Sequence, residues 1–170
     1  MENTSERKLV RDLMTVGVET CAPDTPIIDL ARAMLERNFE EIVVLEEGNA
    51  AGVVAQDDII YAFTREDFRS LKAEDVMREN VPQIPADIPI SVAAQMMHDQ
   101  GVRVFWLMHH AGGIEYPAAS ISYKHLLRYL TANSDEELKD LGLAAARKAP
   151  LEQFIERRDA AKQAANSRRK

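Results

Sequence analysis

Apolar residues along the chain fall into short continuous runs and into longer stretches with helical spacing. The runs IVVL, GVV and VFWL are apolar at nearly every position. Strands that are covered on both faces have this composition, so each run predicts a buried strand. The segment EIVVLEEGNAAGVVA predicts two strands joined by a turn with Gly48 and Asn49 at its tip. Its counterpart, RVFWLMHHAGGIEYPAASIS, predicts a longer tip around Gly112 and Gly113.

Two further segments have apolar residues at the i, i+3, i+4 spacing of an amphipathic helix. They begin at Pro26 and Pro89, and proline is favoured in the first turn of a helix because the N–H that it lacks has no partner there. A short strand is predicted before each helix, at about 18–21 and 81–84. The predicted apolar faces contain Ile27, Leu30, Ala31, Met34 and Leu35 in the first helix, and Ile90, Ala93, Ala94 and Met97 in the second.

These elements are two copies of one sequence unit. The segment RDLMTVGVETCAPDTPIIDLARAMLERNF aligns without a gap with EDVMRENVPQIPADIPISVAAQMMHDQGV, at a constant offset of 63 residues. After a four-residue insertion in the second copy, GVVAQDDII aligns with ASISYKHLL. The fold class is therefore predicted to be α/β (α+β), with tandem β-α-β-β-α units at 8–66 and 67–133 and a helical, basic tail at 134–170.

The stretch GVVAQDD, at 52–58, predicts a strand that leads directly into a helix. At such a junction Ser or Thr is a common cap, and an acid three residues later completes the capping box. Ala55 occupies the cap position and Asp58 the acid position. In the second copy, Ser122 occupies the cap position and His125 replaces the acid. The two copies therefore divide one motif between them.

The element order, together with DLMT, PDTPI and GVVxxDDI at these spacings, resembles the CBS domain pair, or Bateman module, over roughly residues 8–131. The resemblance implies two units that face each other across a pseudo-twofold axis. It also implies a regulatory sensor rather than an enzyme, dimerisation into a flat disk, and adenine nucleotides or related adenosyl ligands bound in the clefts between units. AMP, ADP, ATP or another adenosyl ligand is the expected cofactor, and no metal is expected.

Nucleotide-binding members of that family carry a Gly-apolar-x-Thr/Ser-x-x-Asp segment, whose Asp holds the ribose hydroxyls. A carboxylate suits a diol because it accepts two hydrogen bonds, and a helix N-terminus suits a phosphate. The resemblance implies one asymmetric site centred on Asp58, with a cation supplied from across the axis, whereas the cleft at His125 is expected to be empty. The residues assigned to ligand binding are Asp58, Val54, Thr20, Arg103, Ser122 and Lys124.

Each assignment has a structural alternative. Asp58 also suits the first turn of a helix, where an acid stabilises the helix dipole, and Ser122 also suits a helix cap. Lys124 and Arg103 fit solvated surface cations better than phosphate ligands. The adjacent acids at 40 and 41 would repel a phosphate, which favours an alternative function: a CBS-pair dimerisation scaffold that binds no ligand and whose tail engages a client protein.

Composition narrows the classes of function. The 170 residues carry a net charge of −7, so nucleic acid is an unlikely partner. No apolar run is long enough to span a bilayer, the first residues show no secretion signal, and Cys21 is the single cysteine, so a reducing cytoplasm is expected. No catalytic set of side chains is present in the sequence, so we do not expect an enzyme.

The tail differs from the body in charge and in pattern. Residues 147–170 contain eight basic and three acidic residues, whereas the rest of the chain contains 13 basic and 25 acidic residues. Ser134 and Glu137 predict a capping box at the start of a helix. A second helix is predicted from Pro150. The apolar residues of the two helices, Leu138, Leu141, Leu143, Leu151, Phe154 and Ile155, need a partner, which is the protein's own body, a second subunit of a homodimer, or a client protein.

Overall fold

The computed structural model describes residues 8–140, so the tail helix predicted from Pro150 lies outside the described residues. The strands are β1 (Thr15–Val16), β2 (Thr20–Cys21), β3 (Glu41–Glu46), β4 (Asn49–Ala55), β5 (Val104–Ala111) and β6 (Ile114–Ser122). The α-helices are α1 (Val10–Leu13), α2 (Ile27–Arg37), α3 (Gln56–Ala62), α4 (Ala73–Val76), α5 (Ile90–Gln100), α6 (Tyr123–Thr131) and α7 (Asp135–Asp140). One 3-10 turn spans Phe68–Ser70.

The strands form two three-stranded sheets, in the orders β2-β3-β4 and β1-β6-β5. In the first sheet β2 runs parallel to β3, and Thr20 lies opposite Val43. The strand predicted at 81–84 is reduced in the second sheet to one parallel bridge, between Gln83 and Trp106. The ladder cannot continue on the N-terminal side of Gln83 because Pro82 lacks the N–H that would extend it.

Each unit contributes an edge segment to the sheet of the other unit. Strand β1 belongs to the first copy by sequence but pairs with β6 of the second, where Thr15 lies opposite Ser120. Arg78 is the repeat counterpart of Thr15, and it exchanges two backbone hydrogen bonds of 2.9 Å with Val53 of β4. The exchange is reciprocal, so the two β-α-β-β-α units are interlocked.

The two hairpins have turns of the same length. In the first hairpin, Glu47 and Gly48 form the turn with φ of 49° and 88°, one residue earlier than predicted. Two consecutive positive φ angles match the twist of the flanking strands in a two-residue hairpin turn. In the second hairpin, Gly112 and Gly113 form the turn as predicted, but the additional residues lengthen β5 and β6 rather than the tip.

The central strands bury both faces because each lies between two apolar layers. On β3, Ile42 and Val44 pack with Val54 and helix α2, whereas Val43 faces the other unit. Side chains alternate across a strand, so a continuous apolar run is required at this place. The layer shared by the two units contains the buried residues Val43, Val53, Val104 and Trp106.

Helices α2 and α5 begin after Pro26 and Pro89, as predicted, and both end at a left-handed residue, Asn38 or Gly101. Their buried faces are narrower than predicted. Leu35 is 82% exposed and Ala94 is also exposed. In each helix, only one row of side chains, spaced three or four residues apart, packs against the rest of the protein. The buried residues are Ile27, Leu30 and Met34 in α2, and Ile90, Ala93 and Met97 in α5.

Candidate functional site

Two cavities lie at the junction of the two units. The smaller one, about 230 Å³, is named here the Asp58 cavity, and its walls include Ala55, Asp57, Asp58, Arg78 and Arg103. The larger one, about 310 Å³, is named the His125 cavity, and its walls include Thr15, Phe39, Trp106, Ser122, Lys124 and His125. Glu40 and Glu41 contribute to the walls of both cavities.

Asp58 caps the helix in which it stands. Its Oδ2 accepts a hydrogen bond of 2.7 Å from the backbone N–H of Ala55, so the acid half of the capping box forms without a hydroxyl partner. The same oxygen accepts a hydrogen bond of 3.2 Å from Nε of Arg78. One carboxylate oxygen is therefore already used twice by the protein itself.

The Asp58 cavity also contains a buried acid. The side chain of Glu41 is 6% exposed, and its Oε2 lies 3.5 Å from Nη2 of Arg78. Burial raises the pKa of Glu41 to about 7, while the charge of Arg78 acts in the opposite direction and the charges of Asp58 and Glu40 add to the increase. Arg78 therefore links two carboxylates across this cavity.

His125 takes over the capping role in the second unit. Its Nδ1 accepts a hydrogen bond of 3.0 Å from the backbone N–H of Ser122, and its Nε2 lies 2.7 Å from Oγ1 of Thr15. This pattern assigns the neutral tautomer that carries the proton on Nε2. Burial lowers the pKa of His125 to about 4, and the charges of Arg128 and Lys124 act in the same direction.

The repeat makes these two arrangements equivalent in position but different in chemistry. Asp58 contacts Arg78, and their counterparts His125 and Thr15 contact each other in the same way. The first contact is an ion pair and the second is a neutral hydrogen bond. In both units, the capping residue in the first turn of the helix, Asp58 or His125, contacts a side chain of the edge segment that comes from the other unit.

Cations are distributed over both cavities. Arg103 lies in the wall of the Asp58 cavity, with Nη2 at 3.4 Å from Oδ2 of Asp57. Lys124 lies in the wall of the His125 cavity, where Nζ is 3.4 Å from Oε1 of Glu40 and 3.1 Å from Oδ1 of Asn38. Arg103 and Asp58 therefore line the same cavity, whereas Lys124 lies beside His125 in the other one.

The other assigned residues have different surroundings. Ser122 lies in the wall of the His125 cavity, with Oγ 2.9 Å from Nδ1 of His125. Val54 is fully buried in the core of the first unit, and Thr20 is exposed on β2. Neither of these two lines the Asp58 or the His125 cavity, because β4 turns Val54 towards helix α2 and β2 lies at the far edge of its sheet.

Sequence reasoning missed the residues that the exchange of edge segments brings in. Arg78 and Thr15 contact the two junction residues, yet each lies far from its partner along the chain. The alignment of the copies pairs Thr15 with Arg78, which shows that the two positions are equivalent. The partner of each position follows only from the pairing of strands between units.

The two cavities differ in the nature of their walls. The His125 cavity combines the apolar side chains of Val18, Phe39, Val104 and Trp106 with polar and charged groups. The walls of the Asp58 cavity are chiefly charged. Trp106 serves both the core and the cavity, since it is 1% exposed and packs in the layer shared by the units.

Two other features bear on chemistry. Burial raises the pKa of the Cys21 thiol to about 11, which disfavours the nucleophilic thiolate. Among residues 8–140, no group of three or more His, Cys, Asp or Glu side chains is arranged to hold a metal ion. Over the same residues, every helix is too short or too polar to cross a membrane.

A comparison with protein families matches the CBS domain to residues 10–65 and 73–132. The chain belongs to the CBS domain family, with two such domains in tandem, and the predicted resemblance to a CBS domain pair is confirmed. The matched segments lie within the predicted units at 8–66 and 67–133.

Two curated relatives match parts of this chain. One is an uncharacterized protein of Methanocaldococcus jannaschii, 43% identical over 54 residues, which are 31% of this chain and 32% of that protein. The other is an uncharacterized 17.7 kDa protein of Acidianus ambivalens, 27% identical over 95 residues, which are 55% of this chain and 57% of that protein. The match therefore covers about a third of the length of the first relative and somewhat over half of the length of the second.

Solved structures share the fold over most of the chain. The CBS domain pair of protein MJ0100, in complex with 5′-methylthioadenosine and S-adenosyl-L-methionine, has a TM-score of 0.64 and 17% identity, covering 72% of this chain and 95% of that one. An uncharacterized conserved protein from Pyrococcus horikoshii has a TM-score of 0.66 and 17% identity, covering 78% and 98%. These similarities confirm the predicted fold class.

Proposed function

We propose that this protein is a regulatory module that binds an adenosine-containing ligand in the His125 cavity. One observation carries the proposal: within about 310 Å³, this cavity joins an apolar wall to cationic and hydroxyl groups. Ligand sites in proteins are mostly apolar concavities with a few polar groups that fix orientation. The adenosyl ligands named for the structurally similar MJ0100 domain pair support this choice of ligand class.

This proposal moves the site away from Asp58. A purine base requires apolar surface, and the partly exposed side chains of Val18 and Phe39 offer it in the His125 cavity. In the Asp58 cavity, Arg78 links the two carboxylates, so a ribose at Asp58 would compete with hydrogen bonds that the protein already makes. The hydroxyls of Thr15 and Ser122 replace the family carboxylate as partners for a ribose.

The charges of the cavity indicate which adenosyl ligands fit best. Its walls contain three cations, Arg37, Lys124 and Arg128, and three acids, Glu19, Glu40 and Glu41. Lys124 lies near Glu40, and Arg37 forms an ion pair of 2.6 Å with Glu19. A triphosphate would have to disrupt both pairs, so we propose a ligand of low charge, such as AMP or an adenosyl thioether, in preference to ATP.

The first test measures ligand binding by thermal shift and calorimetry with AMP, ADP, ATP, S-adenosylmethionine and NAD. We expect AMP or an adenosyl thioether compound to raise the melting temperature most. Lys124→Ala should weaken binding of AMP roughly 10-fold, as expected for loss of one charged hydrogen bond. The matched control is Arg103→Ala, which alters the Asp58 cavity and should leave the affinity unchanged.

The opposite pattern would contradict this choice of cavity. If Arg103→Ala or Asp58→Asn abolished binding while Lys124→Ala did not, the ligand site would be the Asp58 cavity of the sequence-based prediction. If no ligand of the panel changed the melting temperature, the proposal would fail and the scaffold function would be favoured.

A second candidate function, a dimerisation scaffold, is favoured by a different observation. Helices α2 and α3 present a group of exposed large apolar side chains, and Tyr61 is 77% exposed. Such groups mark protein–protein contacts. We therefore propose that this face contacts a second copy of the chain or a client protein. The group consists of Leu35, Ile60, Tyr61 and Phe63.

Light scattering on the full chain tests this contact. Tyr61→Asp should convert a dimer into monomer, whereas the exposed Glu36→Gln on the same side of the protein should not. A wild-type protein that is monomeric at high micromolar concentration would exclude the homodimer and leave a client protein as the partner of this face.

A further inference from the structure

We propose that the chain beyond α7 folds back onto its own second unit, where Leu151, Phe154 and Ile155 fill an apolar groove between α5 and α6. This inference concerns a surface that shares no lining residue with the Asp58 and His125 cavities, and it does not depend on the proposed ligand. It selects one of the three partners that the sequence left open for the tail.

The groove is a cavity of about 390 Å³ on the outer side of the second unit. Leu130, at one end of it, is 75% exposed, and the neighbouring Leu127 is exposed as well. Exposed apolar surface of this kind is stabilised when another segment covers it. The side chains that line the groove are mostly apolar and include Pro89, Ile90, Ala94, Leu126, Tyr129 and Leu130.

The chain already lies against this region where the described residues end. Leu138 of α7 is buried, and it belongs to the same apolar cluster as Ile90 and Leu126 of the groove. The direction of α7 is fixed by a cap, since the N–H of Glu137 donates to Oγ of Ser134 at 3.2 Å. The described part of the chain therefore ends beside the apolar cluster that continues into the groove.

The segment after α7 has the length and the pattern to cover the groove. Leu151 lies 11 positions after Asp140, a separation of about 16 Å in a helix and of up to about 36 Å in an extended chain. Leu151, Phe154 and Ile155 lie at the i, i+3, i+4 spacing that brings side chains onto one face of a helix.

Two further observations favour this occupant over others. The tail is basic and the rest of the chain is acidic, and this charge difference attracts the tail to its own body. A tether within one chain also gives the contact a high effective concentration.

Disulfide trapping in the full chain tests the contact. In a Cys21→Ser background, Leu130→Cys is combined in turn with Leu151→Cys, Phe154→Cys or Ile155→Cys. Under mild oxidation we expect at least one pair to form an intramolecular disulfide in most molecules, at a yield that is independent of protein concentration. Mass spectrometry of the digested protein identifies the linked peptides.

The control pair places the first cysteine on the other unit, as Leu35→Cys on α2 with the same tail cysteine. It should form a disulfide much more slowly, although position 35 is at least as exposed as position 130. Equal yields in the two pairs would overturn the proposal. Disulfides formed only between two chains would also overturn it and would identify a second copy as the occupant.

Hydrogen exchange gives a second measurement if the cysteine variants fail to fold. Phe154→Ser should accelerate amide exchange in α6 several-fold relative to the wild-type protein, because it removes the cover of the groove. Gln153→Ser, its neighbour off the apolar stripe, should leave exchange in α6 unchanged. Unchanged exchange in both variants would show that the tail does not cover α6.

Discussion

His125 and Asp58 show how one position serves the fold with two different side chains. Each side chain accepts a hydrogen bond from the backbone N–H three residues earlier. This bond caps the N-terminus of the helix that contains the residue. A carboxylate accepts as an anion, whereas the imidazole must be neutral to accept through Nδ1. The sequence difference therefore alters the charge of each cavity but preserves the junction.

Ionisation of Glu41 affects the stability of the folded protein near neutral pH. Its pKa in the folded protein, about 7, lies above the ordinary value of 4.5. The folded state therefore binds the proton more tightly, so this contribution to stability is complete below pH 4.5 and is lost as the pH rises through 7. Glu41→Gln should remove this loss.

We expect the unfolding free energy of Glu41→Gln, relative to the wild-type protein, to rise by about 2–3 kcal/mol between pH 5 and pH 8. Urea denaturation at the two pH values measures the difference. The ionisation of His125 changes the unfolding free energy with pH in the opposite direction, because its pKa is lowered in the folded protein. Both proteins contain His125, so this change cancels in the difference between them. Glu46→Gln, an exposed change on the same strand, should show no such rise. A pH-independent difference for Glu41→Gln would contradict the argument.

At the scale of elements, the exchange of edge segments explains why the first unit has a glycine at position 52. A Cβ on Gly52 would lie 2.5 Å from the carbonyl oxygen of Arg78, which is closer than real Cβ contacts allow. The close approach exists because Arg78 pairs with the adjacent Val53. Gly52 therefore leaves room for the backbone of Arg78 in the first unit, irrespective of any ligand, whereas the second unit makes the equivalent pairing of Thr15 with Ser120 beside Ala119.

Gly52→Ala should destabilise the protein by about 1–3 kcal/mol, because the backbone of Arg78 must move away and strain its two hydrogen bonds to Val53. Chemical denaturation followed by circular dichroism measures this loss. Ala51→Ser, at the next position of the same strand, should change stability by less than about 0.5 kcal/mol. Equal stabilities of Gly52→Ala and the wild-type protein would show that Arg78 is not fixed against β4.

At the scale of the whole molecule, the two units depend on each other. They share the apolar layer of Val43, Val53, Val104 and Trp106, and each completes the sheet of the other. Neither unit can bury its inner sheet face alone. Unfolding of the body should therefore be a single cooperative transition rather than two.

Isolated fragments test this dependence. Residues 1–66 and 67–140, each produced alone, should lack a cooperative unfolding transition, and mixing them should restore it in part. Trp106 is the only tryptophan and is buried, so its emission reports on the shared layer. We expect emission at the wavelength of solvent-exposed tryptophan from fragment 67–140. Emission at the wavelength of a buried tryptophan, together with a sharp unfolding transition in that fragment, would contradict the prediction.

The sequence by itself determined the repeat, the order of elements and the junctions between strand and helix. These follow from local patterns: the continuous apolar runs, the prolines at 26 and 89, and the glycines at 112 and 113. It did not determine that Leu35 faces solvent, since helical spacing shows that an apolar face exists but not how wide the neighbouring sheet is.

Only the tertiary structure decided the composition of the two cavities. Arg78 reaches Asp58, Thr15 reaches His125 and Lys124 lies beside His125 because strands are exchanged between the units. Such pairing joins residues that are distant along the chain, and no local pattern of polar and apolar positions encodes it. The sequence thus determined which residues each unit offers, and the docking of the two units decided which of them meet.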